Sequence, residues 1–216
     1  MIESENDAMN QTLYAIIDPS HADGDDRAID ITRAILRGGA SFVQLRDKTS
    51  TTRQMLRLGK RLQVVCDEFG ATFIVNDRFD VALACGADGV HLGPDDLPVE
   101  AARAVVDDEF IIGASAGTVE VARQLAAEGA DYLGVGAIFE ARESKPDASA
   151  PRGPQIIQAV TKAVDIPVVG IGGITADNAA DVIAAGASGV AVIRSLMAAD
   201  DPEVAAKKMV RRLRPT

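Results

Sequence analysis

One nine-residue pattern recurs four times along the chain: GGASFVQLR from Gly38, CGADGVHLG from Cys85, EGADYLGVG from Glu128 and AGASGVAVI from Ala185. Each copy closes a helical stretch with glycine, passes alanine and a turn residue, and enters an apolar strand. Glycine at that point supplies the left-handed conformation that ends a helix. A turn this short delivers the chain directly into a parallel neighbour. Repetition of one αβ turn implies repeated βα units and not two unlike domains.

The rest of the chain keeps the same rhythm. Apolar or β-branched runs at Leu13–Ile17, Phe42–Leu45, Thr72–Val75, Gly89–Leu92, Phe110–Ile112, Tyr132–Val135, Pro167–Ile171 and Gly189–Ile193 read as strands. Their near-continuous hydrophobicity fits parallel strands covered on both faces. Amphipathic segments lie between them: Arg27–Arg37, Thr51–Phe69, Val119–Glu128, Pro154–Val164, Ala176–Ala185 and Pro202–Leu213, with shorter ones at Phe79–Cys85 and Pro98–Val106. Eight βα units in 216 residues predict a single-domain (β/α)8 TIM barrel of the α/β class over 12–216, behind a flexible polar leader at 1–11. An open doubly wound sheet is the competing arrangement, and it lacks the G-x-G-x-x-G expected after its first strand.

Composition removes several function classes. With 22 Lys+Arg against 32 Asp+Glu the net charge is −10, against the cationic face that nucleic acid or an anionic membrane requires. No apolar run approaches the ~18 residues of a membrane span. Cys66 and Cys85 cannot make a disulfide framework, so a cytoplasmic location is expected. His21 and His91 are too few for a multi-histidine metal site, whereas a hard cation on carboxylates is compatible with the chain.

In a (β/α)8 barrel the site lies where the strands end. Alternation along β-structure aims Gln44, Arg46 and Lys48 inward together, a clamp for phosphate or diphosphate; rim charges paired with Asp47 or Asp18 are the bland alternative. Asn76-Asp77 and Gly93-Pro94-Asp95-Asp96 bring carboxylates beside these cations, able to share Mg²⁺ with substrate oxygens, or else to cap helices (Asp77, Asp95). His91 reads as a hydrogen-bonded structural residue, Ser115 offers a hydroxyl among small residues, and Thr118 reads as a helix cap. The long polar segment 139–153 reads as a lid carrying Arg142, Ser144, Lys145 and Arg152. Glycines after the seventh strand and amides near Ile193–Arg194 form a second phosphate corner.

Taken in order, VQLRDK (43–48), ND (76–77), GVHLGPDD (89–96), IGAS (112–115), GADYLGVGAIF (129–139), SKPDA (144–148), PVVGIGGI (167–174) and GASGVAVIRSL (186–196) resemble the thiamine-phosphate synthase family, which also has a thiazole tautomerase branch. The resemblance implies a cytoplasmic transferase. It would join 4-amino-5-hydroxymethyl-2-methylpyrimidine diphosphate to a thiazole phosphate, releasing pyrophosphate through a Mg²⁺-assisted dissociative step. Carried over, Gln44, Arg46, Lys48 and Asn76 hold the pyrimidine diphosphate, and Asp77 and Asp96 ligate Mg²⁺. Ser115 and Lys145 meet the departing pyrophosphate; Ser144, Gly173, Ile193 and Arg194 hold the thiazole phosphate. The partners implied are these small molecules, with no nucleic acid and no membrane, and a homodimer is left open. The chain departs from the family pattern at Gly117, where histidine is usual, at 141–145, at Pro94 and at Arg194. The altered loop motivates a non-catalytic phosphate binder as the alternative. The tautomerase alternative is weakened by Gly117, which cannot transfer a proton.

Overall fold

A computed structural model describes residues 11–140 and 150–214. Eight parallel strands close on themselves in chain order: β1 (Thr12–Ile17), β2 (Phe42–Leu45), β3 (Thr72–Asn76), β4 (Gly89–Leu92), β5 (Ile111–Ala116), β6 (Tyr132–Gly136), β7 (Val168–Ile171) and β8 (Gly189–Val192), with β8 hydrogen-bonded back to β1. The helices α1 (Gly24–Arg37), α2 (Thr52–Phe69), α3 (Phe79–Cys85), α4 (Val99–Arg103), α5 (Val119–Ala127), α6 (Gln155–Thr161) and α7 (Ala179–Ala184) follow the first seven strands. After β8 come a single turn, α8 (Arg194–Met197), and the closing helix α9 (Pro202–Leu213). The single-domain (β/α)8 barrel expected from the sequence is the observed fold, and the open sheet is excluded by β1–β8 pairing.

The repeated turn does what its sequence predicts. Its glycines Gly39, Gly86, Gly129 and Gly186 have φ of 99, 74, 98 and 103°, a region that costs other residues strain. The turn residues that follow, Ser41, Asp88, Asp131 and Ser188, donate their backbone N–H to carbonyls of the preceding strand: Leu13, Phe73, Ile112 and Val168. Asp88 and Asp131 add a second point, their carboxylates accepting the N–H of Phe73 at 2.7 Å and of Ile112 at 2.6 Å. Each copy therefore sets the register of the strand it launches.

Period-2 alternation divides the strands. Leu13, Ala15, Ile17, Val43, Leu45, Phe73 and Val75 form part of the apolar layer under the helices, and Tyr14, Ile16, Gln44, Arg46 and Asn76 face the barrel interior. Two strand-end expectations need correction. β5 runs on to Ala116, so Ser115 sits within a strand rather than on a loop after it. β8 ends at Val192, and Ile193 is the cap residue of α8. Several helices are a few residues shorter than their amphipathic stretches, as frayed ends commonly are. No helix among the described residues is long and apolar enough to cross a membrane. Residues 1–10 of the expected leader lie outside the described residues.

Candidate active site

A cavity of about 1060 Å³ opens at the C-terminal ends of the strands. It brings together Gln44, Arg46, Asn76, Ser115, Gly173, Ile193 and Arg194, which are separated by up to 150 positions in the chain (194 − 44). Lys48, Asp77 and Asp96 do not line its wall. They cluster beside Asn76 and Pro94, which do. Ser144 and Lys145 lie outside the described residues.

The β2 side is charged and already paired. Arg46 Nη1 donates to Asp18 Oδ2 at 2.6 Å, with only 12% and 7% of the two side chains exposed. Asp18 also accepts from the Ser20 N–H and hydroxyl. Of the two rim carboxylates weighed from the sequence, Asp18 is therefore the partner of Arg46, and Asp47 instead accepts the N–H groups of Thr49 and Ser50. Lys48 Nζ stands 2.5 Å from Asp77 Oδ2.

Neither Asp77 nor Asp95 caps a helix. The residues at those positions are Arg78 for α3 and Pro98 for α4, neither with a side-chain cap bond. Asp77 instead has φ 63°, an uncommon conformation for a residue with a Cβ, held by its N–H donating to the His91 carbonyl at 2.8 Å. Its carboxylate faces that of Asp96. Burial raises the Asp96 carboxyl above the usual range and the facing Asp77 adds to the rise, against the Gly93 N–H that Asp96 accepts at 2.7 Å. Two facing carboxylates require a cation near them. Lys48 supplies one. The all-oxygen donor set also suits a hard divalent ion completed by water and phosphate oxygens, since no cluster of three or more protein ligands exists among the described residues.

The interior below holds a polar chain that the sequence reading did not assemble. Gln44 Nε2 donates to the Tyr14 oxygen at 2.9 Å, and the two tyrosines meet at 2.7 Å. Tyr132 Oη lies 3.1 Å from His91 Nδ1, and His91 Nε2 lies 2.9 Å from Ser115 Oγ. The His91 tautomer sets which partner donates in each of these bonds. The chain thus links Gln44, both tyrosines, His91 and Ser115 across the barrel interior. Burial raises both phenol pKa values above the ordinary one, Tyr14 and Tyr132 alike, so both stay protonated donors. Gly113 makes room for the chain: a Cβ there would stand 2.1 Å from the Tyr132 ring. The one available signal was that the chain has only two tyrosines, both within strands. His91 is the hydrogen-bonded residue expected, and Thr118 is the cap expected, accepting from Val121 N–H.

The β7–β8 side is backbone. Gly172 and Gly173 have φ of 102 and 63°. Asn178 Nδ2 donates to the Gly173 carbonyl at 3.1 Å and Ser195 Oγ to the Ile174 carbonyl at 3.0 Å, bracing the loop against α8. Cys66 and Cys85 are buried free thiols away from the cavity, and burial pushes the Cys66 thiol up to about 12.

Comparison with known proteins places this geometry. Residues 13–196 match the family described as thiamine monophosphate synthase. The thiamine-phosphate synthase of Moorella thermoacetica is 48% identical over 197 residues, covering 91% of this chain and 93% of that protein. That of Natronomonas pharaonis is 46% identical over 199 residues, covering 91% and 92%. Among solved structures, the thiamine phosphate pyrophosphorylase from Pyrococcus furiosus superposes with a TM-score of 0.86 at 39% identity, covering 95% of this chain and 96% of that one.

Proposed function

The chain belongs to the thiamine monophosphate synthase family, and we propose that it acts as the transferase that couples 4-amino-5-hydroxymethyl-2-methylpyrimidine diphosphate to a thiazole phosphate, giving thiamine phosphate and pyrophosphate. The observation that carries this reading is one cavity with two unlike anion sites on opposite arcs: the ion-paired β2–β4 side and the backbone β7–β8 side. A reaction that joins two phosphorylated molecules and expels pyrophosphate needs that arrangement. It does not need a nucleophile–base pair, because positioning and charge stabilisation carry the barrier.

In this reading Gln44 and Asn76 orient the pyrimidine, and Arg46 and Lys48 turn from Asp18 and Asp77 toward the diphosphate. Ser115 and Lys145 would hydrogen-bond the pyrophosphate as its bond to the pyrimidine methylene carbon breaks, and the thiazole nitrogen attacks that carbon. Gly173, the amides near Ile193 and Arg194, and Ser144 hold the thiazole phosphate. Asp77 and Asp96 would hold Mg²⁺, which would supply charge stabilisation to the departing diphosphate. Cytoplasmic residence and a homodimer belong to the same proposal, checked by cell fractionation and by light scattering.

The test is pyrophosphate release from the two substrates with Mg²⁺. Turnover that needs both substrates and stops on chelation is expected. Binding of both without release would leave the non-catalytic binder.

A further inference from the structure

Arg152 lines the cavity, and the proposed reaction gives it no role. Its backbone is pinned, its N–H donating to the Ala137 carbonyl at 3.0 Å while Gly153 N–H donates to that of Ile138 at 2.9 Å. Its side chain reaches across to the end of β5. A Cβ placed on Gly117 would stand 3.6 and 3.7 Å from the two terminal guanidinium nitrogens. Gly117, Arg152 and Ser115 line the same cavity.

The charge arrangement sets Arg152 apart. Arg46 is held by Asp18 and Lys48 by Asp77, and Arg194 is not free. Arg152 is exposed and makes no ion pair among the described residues. A cation with a carboxylate partner must give up that partner to receive a ligand anion, and among the described residues Arg152 has none to give up. Its planar fork also matches two phosphoryl oxygens at once. Ser115, two residues before Gly117 on β5, lines the same cavity and is bonded to His91.

We propose that Arg152 is an anion-holding residue for the diphosphate group, acting with Ser115 at the end of β5, and that position 117 is glycine because the guanidinium occupies the space a side chain would take. No positive φ accounts for Gly117, and a methyl there makes ordinary contact. The requirement is therefore for space beyond Cβ. The inference rests on the proposed transferase reading for the identity of the diphosphate. A phosphoryl group on the thiazole partner has the same chemistry, and the assignment to diphosphate comes from the shared wall with Ser115.

The experiment is calorimetric titration of the full chain with inorganic pyrophosphate and, separately, with thiazole phosphate, both at fixed Mg²⁺. Arg152→Ala is expected to weaken pyrophosphate about tenfold, the scale of one charge-assisted contact, and thiazole phosphate less than twofold. Arg152→Lys, which keeps the charge without the fork, should recover part of the loss. Gly117→Leu should reproduce the Arg152→Ala loss, and the double variant should lose no more than either alone; Gly117→Ala should stay within twofold of the parent. Pyrophosphate affinity unchanged in Arg152→Ala, or an equal loss for thiazole phosphate, overturns the proposal. Additive losses in the double variant overturn the role of Gly117. Thermal melts of each variant separate misfolding from lost contacts. These affinities are measured without turnover, so failure of the wild-type chain to release pyrophosphate would sink the transferase reading independently.

Discussion

The two arcs of the barrel mouth present polarity by different means. Around β2–β4 it is carried by side chains in pairs: Arg46 on Asp18, Lys48 on Asp77, and Asp77 facing Asp96. Around β7–β8 it is carried by main chain, shaped by glycines in left-handed conformations and braced by Asn178 and Ser195. A side-chain arc can be dismantled one functional group at a time. A backbone arc is insensitive to most truncations and is disturbed chiefly by adding atoms.

The largest expected effect is on the charged arc. Arg46→Ala removes a ligand cation and leaves Asp18 buried without its partner, so pyrophosphate release should fall on the order of 10²–10³-fold. Stability in urea should drop by about 3–5 kcal/mol. A variant with near-parent turnover would break the comparison.

On the backbone arc, Gly173→Ala adds a Cβ 2.4 Å from the Glu140 carbonyl oxygen at φ 63°. Steady-state kinetics should show KM for thiazole phosphate raised about tenfold, with KM for the pyrimidine diphosphate moved less than twofold. The strain should cost about 1–3 kcal/mol. Equal effects on both substrates would show that the arcs are not separate sites.

Tyr132→Phe tests the polar chain beneath both. It leaves the Tyr14 hydroxyl and His91 Nδ1 without their shared partner, at a cost of about 1–3 kcal/mol in denaturant. Activity should fall, though less than in Ser115→Ala, because His91 loses one of the two hydroxyls that orient its ring beside Ser115.

The smallest effect is a gain. Asp96→Asn relieves the facing carboxylates, so in chelator at neutral pH its melting temperature should rise by about 1–2 °C. The folded Asp96 carboxyl binds its proton more tightly than an unfolded one. The parent is therefore penalised only where this group is ionised, and the advantage of Asp96→Asn should shrink as pH falls.

Local signals placed most of the elements. The runs at Phe42–Leu45 and Gly89–Leu92 are strands over the residues read from sequence, as are the helices Phe79–Cys85 and Pro202–Leu213. β5 was undercounted because Gly113-Ala114-Ser115-Ala116 carries no β-branched or aromatic signal. Pairing of Ser115 with Gly134 and Ala116 with Val135 extends it. The candidate residues Gln44, Arg46, Asn76 and Ser115 were legible because each stands at a strand end with the right chemistry. Of their partners, Asp18 was one of two carboxylates weighed for Arg46, whereas Tyr14 and Tyr132, 118 positions apart, were not joined.

Sequence alone determined what depends on neighbours along the chain: the glycine-closed turn repeated four times, the period of two that aims alternate residues inward, and hence a closed barrel with cations and carboxylates at one end. Tertiary structure decided which of those charges meet, which hydroxyls join the buried chain through His91, and that Arg152 lies over Gly117. Turn conformation and strand alternation are set by backbone sterics within a few residues. Ion pairs and hydrogen bonds across a barrel depend on distances that exist only after β8 closes onto β1.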